Sequence, residues 1–419
     1  MNFYIDNVFF DAIISTNYQS KREKDIMKKN LFKFAAGALS VGAAVCALAS
    51  CGSSSDTVKL GLIANLSGSA SFYGQQVKHG AELAVKDINA NGGIDGKTVE
   101  LVVKNDAQDT TTAVQQYNAL VDEGVVGIVG AVISGTTEAV AEQAAKDNFP
   151  MITPSGSAAS ITENRNSVFR ACFTDPDQGL TLAKLCKDLK TKANDDEYKV
   201  VLFKDSTQNY STGIAQTFQE AVNDTTYGVT IVDTIEYAGL DKLQTNLDTF
   251  YTRVCGYEGV DAVVFPDYTN ADYQVVNKFR SGTKYNDVTF IGGDGWDGTE
   301  AVDGADATKL YNCYYSTNLY MAADVPSVVK FVTDFKADYP EEETVSQFAA
   351  LAYDAVYMYK GALEACKSTD KEKVVAAIKA LEFDGLTGKG TFNDQGNPVK
   401  TASIVTWDVE GKLSYYGAI

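Results

Sequence analysis

From Thr57 onward, short β-branched runs alternate with longer segments whose apolar side chains recur at helical spacing. A chain patterned this way can bury its apolar faces only as parallel strands layered with helices. Val58 to Ile63 predicts a strand, and after a Ser/Gly-rich loop Val77, Ala81, Ala84, Val85 and Ile88 fall on one helix face, which Asn91-Gly92-Gly93 ends. The pattern returns at Leu101 to Val103, a helix carrying Ala113 to Val121, the strand Val125 to Val132 and a helix over about Thr137–Asp147. A second series runs through Val200 to Phe203, Val229 to Val232, Ala262 to Phe265 and Thr289 to Ile291, with helices between. The expected fold is therefore α/β, with two doubly wound parallel-sheet lobes. After Tyr311 to Tyr315 come three helical stretches (about Pro326–Tyr339, Thr344–Cys366 and Lys371–Leu381) with no strand between them, so the chain is expected to return and cover the first lobe.

The N-terminus reads as a targeting segment. Met27-Lys28-Lys29 followed by the apolar stretch Leu31 to Ser50 has the form of a signal peptide, and Leu48-Ala49-Ser50-Cys51 resembles a bacterial lipobox. In that reading Cys51 takes the lipid and becomes the first mature residue, with Gly52 to Asp56 as a tether. Asp6, Asp11, Glu23 and Asp25 do not suit a basic n-region, so residues 1–26 are read as an untranslated upstream extension and Met27 as the start. The sequence itself leaves the choice between Met1 and Met27 open.

The formal charge of −19 becomes more negative once residues 1–50, with six basic and four acidic side chains, are removed. Such a surface repels phosphate backbones and anionic lipid, which argues against nucleic acid as a partner and requires any membrane attachment to be covalent. One histidine, His79, and no C-x-x-C exclude the usual zinc and redox motifs. Cys172, Cys186, Cys255, Cys313 and Cys366 are expected as buried free thiols, with any pairing undetermined.

Catalytic motifs are absent as well. Gly293-Asp294-Gly295-Trp296-Asp297-Gly298 matches G-x-G-x-x-G by letter, but its two aspartates would face a pyrophosphate with like charge. Asn91 to Thr98 approaches a P-loop but runs from helix to strand, the reverse of the order that aims a helix N-terminus at phosphate. There is no G-x-S-x-G, and a lone His79 on a helix is read as packing or surface. Neither an enzymatic activity nor a cofactor is expected.

Six segments together resemble the leucine/isoleucine/valine-binding proteins of ABC importers. They are Leu66 to Gly74, Ala84 to Lys97, Ile152 to Ser157, Gly292 to Gly295, Ala352 to Ala355 and Gly388 to Phe392, and the likeness runs from Thr57 to Ile419. It implies the type I periplasmic-binding fold, two lobes joined by three crossovers near Thr174–Pro176, Ser316–Leu319 and Pro398–Ala402. Lobe 1 would then be 57–174 plus 317–400, and lobe 2 would be 175–316 plus 401–419. It also implies a small amino-acid ligand in the interlobe cleft, closure by hinge motion and ABC permease subunits as partners; with the lipobox at Cys51, the chain is expected outside the cytoplasm on a lipid anchor, as a monomer.

A free amino acid brings a carboxylate, an ammonium and a side chain, so its site needs donors, acceptors and a shaped wall. Ser134-Gly135-Thr136 sits between a strand and a helix, where backbone N–H groups favour an anion, and the resemblance places Ser134 at the ligand carboxylate; plain helix capping would serve the same residues. Ser155, Gly156 and Ser157 follow a strand end, with Ser157 at a position where the family has a ligand-contacting threonine. Asp294 stands where the family has the glutamate that pairs the ammonium, one methylene shorter. Tyr73, Tyr210, Tyr268 and Trp296 are expected to wall the ligand side chain, and Phe348 is either wall or helix core. Which ligand is bound stays open at this point, from branched-chain amino acids to non-amino-acid solutes such as a short amide. A ligand sensor serving a separate signalling partner is the alternative to transport.

Overall fold

The computed structural model describes residues 57–419. Residues 1–56, and with them the predicted signal peptide, Cys51 and tether, lie outside the described residues. Lobe 1 is built on a five-stranded parallel sheet in the order β2-β1-β3-β4-β5, from β1 (Thr57–Ala64), β2 (Thr98–Asn105), β3 (Ile128–Val129), β4 (Met151–Thr153) and β5 (Val168–Arg170). Helices α1 (Ser71–Ala90), α2 (Thr110–Asp122) and α3 (Ser134–Lys146) connect these strands. The sheet is buried on both faces, which is why β1 reads as a nearly unbroken apolar run.

Lobe 2 carries α4 (Asp175–Ala193), β6 (Tyr198–Asp205), α5 (Asn209–Val222), β7 (Val229–Tyr237), α6 (Leu240–Cys255), β8 (Ala262–Val264), α7 (Thr269–Arg280), β9 (Thr289–Gly292) and β10 (Cys313–Thr317). The chain then returns to lobe 1 with α8 (Pro326–Asp338), α9 (Gln347–Cys366), α10 (Lys371–Lys379) and the hairpin β11 (Glu382–Gly385) and β12 (Gly388–Thr391). It ends in lobe 2 with β13 (Ser403–Trp407) and β14 (Leu413–Ala418), giving a seven-stranded sheet ordered β14-β13-β10-β9-β8-β6-β7. The last two strands are antiparallel, so this sheet is not wholly parallel as the sequence pattern suggested. The three expected helices after β10 are all present, and α9 packs with Leu351, Ala355 and Tyr359 into the core below β1.

Two boundaries differ from expectation. The run Val125–Val132 pairs as a strand only over Ile128–Val129, because the residues after it turn toward the cleft, and the following helix begins at Ser134 rather than Thr137. The segments between the last element of one lobe and the first of the next are 171–174, 318–325 and 392–402, of which Phe392, Gly396 and Asn397 still pack on lobe 1. These segments hold each other: Phe173 N–H donates to Asn318 Oδ1 (3.2 Å), and the partly buried Lys400 Nζ donates to Ala171 O (2.9 Å), with a second bond to Thr387 Oγ1 (2.6 Å) in the turn between β11 and β12. Among the described residues no helix is long and apolar enough to cross a membrane, and the five described cysteines are unpaired. Cys172, Cys186 and Cys313 are buried, while Cys255 and Cys366 are only partly so. His79 packs against Tyr339, ring centroids 3.9 Å apart, with Nδ1 3.1 Å from Glu342.

The contact between α1 and α9 is close enough that a Cβ added at Gly80 would stand 2.0 Å from Ala349 O, in the backbone of α9. Gly80→Ala should therefore force the two helices apart and lower stability by about 1–3 kcal/mol. Urea unfolding of the two forms measures it, and an unchanged midpoint would mean the helices are not so tightly set.

Candidate functional site

Strands of a parallel sheet end on one edge, and in each lobe that edge faces the other lobe, so the loops after β3, β4, β8 and β9 meet across the gap. They border a small, partly open cavity of about 20 Å³ lined by Tyr73, Val132, Ile133, Ser134, Ser155, Ser157 and Phe348 from lobe 1 and Tyr210, Tyr268, Asp294 and Gly295 from lobe 2.

On the lobe 1 side, the residue preceding α3 is Ile133, whose backbone is extended and whose side chain caps nothing. The first α3 backbone donor to close an intrahelical bond is Thr137 N–H, on Ile133 O, so the N–H groups ahead of it in the first turn are available at the lining. This distinguishes the Ser134-Gly135-Thr136 segment from an ordinary capped helix start. Ser134 lines the space, Gly135 has nothing within 4 Å of where a Cβ would be, and Thr136 turns inward to donate to Ile133 O. Ser155 lines the space and donates to Val132 O (2.9 Å), fixing the β4 loop against the β3 loop. Gly156 lies one layer behind. Its carbonyl accepts from Arg170 Nη1 (2.9 Å), and a Cβ there would press within 2.6 Å of Thr137. Arg170, wholly buried, also donates to Ala158 O (3.0 Å), so one guanidinium ties down the loop that presents Ser155 and Ser157.

The lobe 2 side presents acid. Asp294 is 2 % exposed; Gln178 Nε2 donates to its Oδ1 (3.0 Å), while Oδ2 accepts nothing. Burial pushes its pKa up to about 7, against the pull of Gln178 and Tyr210. Asp175, at the start of α4, is a second such group that sequence reasoning missed. It is buried, neither oxygen accepts an ordinary hydrogen bond, and burial and the nearby Asp294 raise its pKa despite the Ser157 hydroxyl and Arg170 close by. The signal for it was present in the Asp at a crossover start, but the capping box formed by Thr174 and Asp177 gives that region a sufficient structural reading.

The walls are aromatic. Tyr210 and Tyr268 stack with centroids 5.1 Å apart, and Tyr73 sits edge-on to Phe348 at 5.2 Å. Trp296 is a correction: it does not line the space. Its ring is wholly buried in the lobe 2 core, with the indole N–H donating to Phe265 O (2.7 Å), because an apolar ring with one donor finds both needs met beneath the loop. Phe348, Val132 and Ile133 take its place in the wall. Among the described residues no group of three or more His, Cys, Asp or Glu could hold a metal ion.

The chain matches the family model for periplasmic binding proteins over residues 57–412. A Leu/Ile/Val-binding protein, BraC3, from Rhizobium johnstonii is 30% identical over 85% of this chain and 93% of its own. Among solved structures, the branched-chain amino acid transporter substrate-binding protein LivJ of Streptococcus pneumoniae, in complex with isoleucine, superposes with a TM-score of 0.76 at 33% identity, covering 87% of this chain and 99% of that one. A solute-binding protein from R. palustris in complex with 4-hydroxybenzoate shares the fold at 18% identity and a TM-score of 0.74, covering 87% of this chain and 97% of that one. The chain belongs to the leucine/isoleucine/valine-binding family of periplasmic binding proteins, a family of transporter substrate-binding components.

Tyr73 joins the lobes at the edge of the space: its hydroxyl donates to Gly295 O (2.5 Å) and accepts from Thr269 N–H (3.0 Å). Tyr73→Phe removes both while keeping the ring, and should weaken ligand by roughly 1–3 kcal/mol. Isothermal calorimetry reads this directly; equal affinity in the two forms would show that the bridge is dispensable.

Proposed function

We propose that the chain is the extracytoplasmic solute-binding component of an ABC importer, and that its lobes close on a small hydrophobic amino acid such as leucine or isoleucine. The observation that carries this reading is the opposition of uncapped helix N–H donors at Ser134 to a buried, half-unpartnered carboxylate at Asp294 across one small space. A ligand carboxylate would take the α3 first turn and the Ser134 hydroxyl, and its ammonium would take Asp294 Oδ2, with Asp175 and Ser157 as further acceptors. The side chain would then lie among Tyr73, Val132, Ile133, Tyr268 and Phe348.

Relatives named for leucine, isoleucine and valine support this choice of ligand, as does the isoleucine complex of the LivJ neighbour. The benzoate-type ligand of the R. palustris protein fits less well, since an acid without an ammonium would leave Asp294 and Asp175 facing it with no cation. The two acids come from lobe 2 and the helix donors from lobe 1, so a zwitterion satisfies both only when the cleft is shut, and binding shifts the population to the closed form. That form is what a permease would recognise.

Asp294→Ala should weaken L-leucine by roughly 2–5 kcal/mol, because the ammonium loses its buried partner. With a pKa near 7, Asp294 is partly protonated below neutrality, so wild-type affinity should rise as pH is raised from 5.5 to 7.5, and that dependence should be smaller in the variant, where Asp175 alone remains. Calorimetry against leucine, isoleucine, valine and benzoate at both pH values measures each point, and tighter binding of benzoate than of any amino acid would overturn the reading. Membrane attachment through Cys51 belongs to the same proposal. Fatty-acid label should be incorporated in cells by the full chain and not by Cys51→Ser; equal labelling of both would remove the anchor.

A further inference from the structure

Three residues past Asp294, on the same lobe 2 loop, Asp297 reaches across the cleft to lobe 1. Its Oδ2 accepts from Gln347 N–H (2.7 Å) and Ser346 Oγ (2.5 Å), at the first turn of α9, while Oδ1 accepts from Tyr315 (3.0 Å) on its own lobe. Ser346 is the capping residue of α9, and its hydroxyl oxygen also accepts from Phe348 N–H (3.1 Å). The positive end of a 20-residue helix in one lobe is thus met by an anion from the other, and the next residue in the turn is the pocket wall Phe348.

The surrounding turn is shaped to the same contact. Gly298 has φ +92, and a Cβ there would lie 2.3 Å from the ring of Phe72 on lobe 1. Glu300 accepts from Thr344 Oγ1 (3.0 Å) on the same seam. Asp297 itself is 4 % exposed, so its charge relies on these donors in place of water.

We propose that Asp297 is a positioning residue for ligand, acting through α9: it locks the loop bearing Asp294 to the helix bearing Phe348 in the closed form, without touching ligand. This rests on the pocket being the site where an amino acid is held by closure, and adds to it a latch made by protein groups alone. A latch of this kind multiplies the affinity of every ligand by one factor, because it biases the closed state and not the contacts inside it. A direct ligand contact would instead change the ratio between ligands, and a permanent staple would stabilise the ligand-free chain equally.

The test is a double-mutant cycle with Asp297→Asn and Ser346→Ala, read by calorimetry with L-leucine and L-isoleucine and by urea unfolding of the ligand-free protein. Asp297→Asn should raise Kd about 10-fold for both amino acids, mainly through faster dissociation, and the double variant should lose less than the product of the two single losses. In ligand-free unfolding the two changes should be additive. A Kd within twofold of wild type, a loss that differs between the two ligands, or the same coupling in ligand-free unfolding each overturns the latch. If Asp297→Asn does not fold, Ser346→Ala decides alone: it must weaken both ligands by one factor, and unmoved dissociation rejects the proposal. A wild-type chain that binds neither amino acid removes the proposed function and the latch with it, whereas wild-type binding with an unaffected variant removes the latch only.

Discussion

A carboxylate taken out of water without a full set of partners is costly, and the cleft of this protein is arranged around two of them. Asp294 keeps one oxygen unbonded and Asp175 keeps both, at positions almost wholly shielded from solvent. Among the described residues neither acid forms a salt bridge. Burial holds the Asp175 pKa well above the ordinary carboxylate value; the buried guanidinium of Arg170 opposes this, but its hydrogen bonds go to the carbonyls of Gly156 and Ala158 and to Thr162 Oγ1. A cation with hydrogen-bond donors is what these acids lack, and a ligand ammonium has that form. The rest of the molecule can be understood as the scaffold that brings helix donors from the other lobe to the same small space.

Much of that scaffold was legible in the sequence because burial on both faces of a parallel sheet writes itself as apolar runs, as in Leu60 to Ala64 and Val200 to Phe203. The three helices after β10 were legible for a similar reason: Phe331, Phe335, Ala355 and Tyr359 recur at helical spacing and all are buried. The short strands β5, β11 and β12 were not, since three or four residues are too few to establish a period, and β12 is made of Gly388, Lys389, Gly390 and Thr391. Local pattern also could not say that β13 and β14 would run antiparallel on the edge of the second sheet, which depends on where the third crossing delivers the chain.

The polar part of the site was visible through its placement at strand ends, where Ser134, Ser155, Ser157 and Asp294 all come together. Aromatic residues were harder to judge. Tyr73, Tyr210 and Tyr268 line the space while Trp296, adjacent in sequence to the lining residue Gly295, points into the core, and no feature of its neighbours in the chain distinguishes the two outcomes. Whether a ring on such a loop faces in or out is decided by the carbonyl of Phe265, 31 positions away, which is available to take the indole N–H.

The fold alone does not choose a ligand, since the same two-lobed architecture occurs in a structure holding isoleucine and in one holding 4-hydroxybenzoate. Both ligands carry a carboxylate, so helix donors at the lobe 1 edge suit either. The choice must lie in what meets the other end of the molecule, and here that is acid: Asp294 at the wall and Asp175 close behind, with aromatic and aliphatic groups between. An uncharged ring end would leave both acids buried without a counter-charge, whereas an ammonium resolves the same deficit that raises their pKa values. On the proposed reading, selectivity for a zwitterion would follow from the sign of the charge left uncompensated at Asp294 and Asp175, and the apolar wall would decide only among side chains.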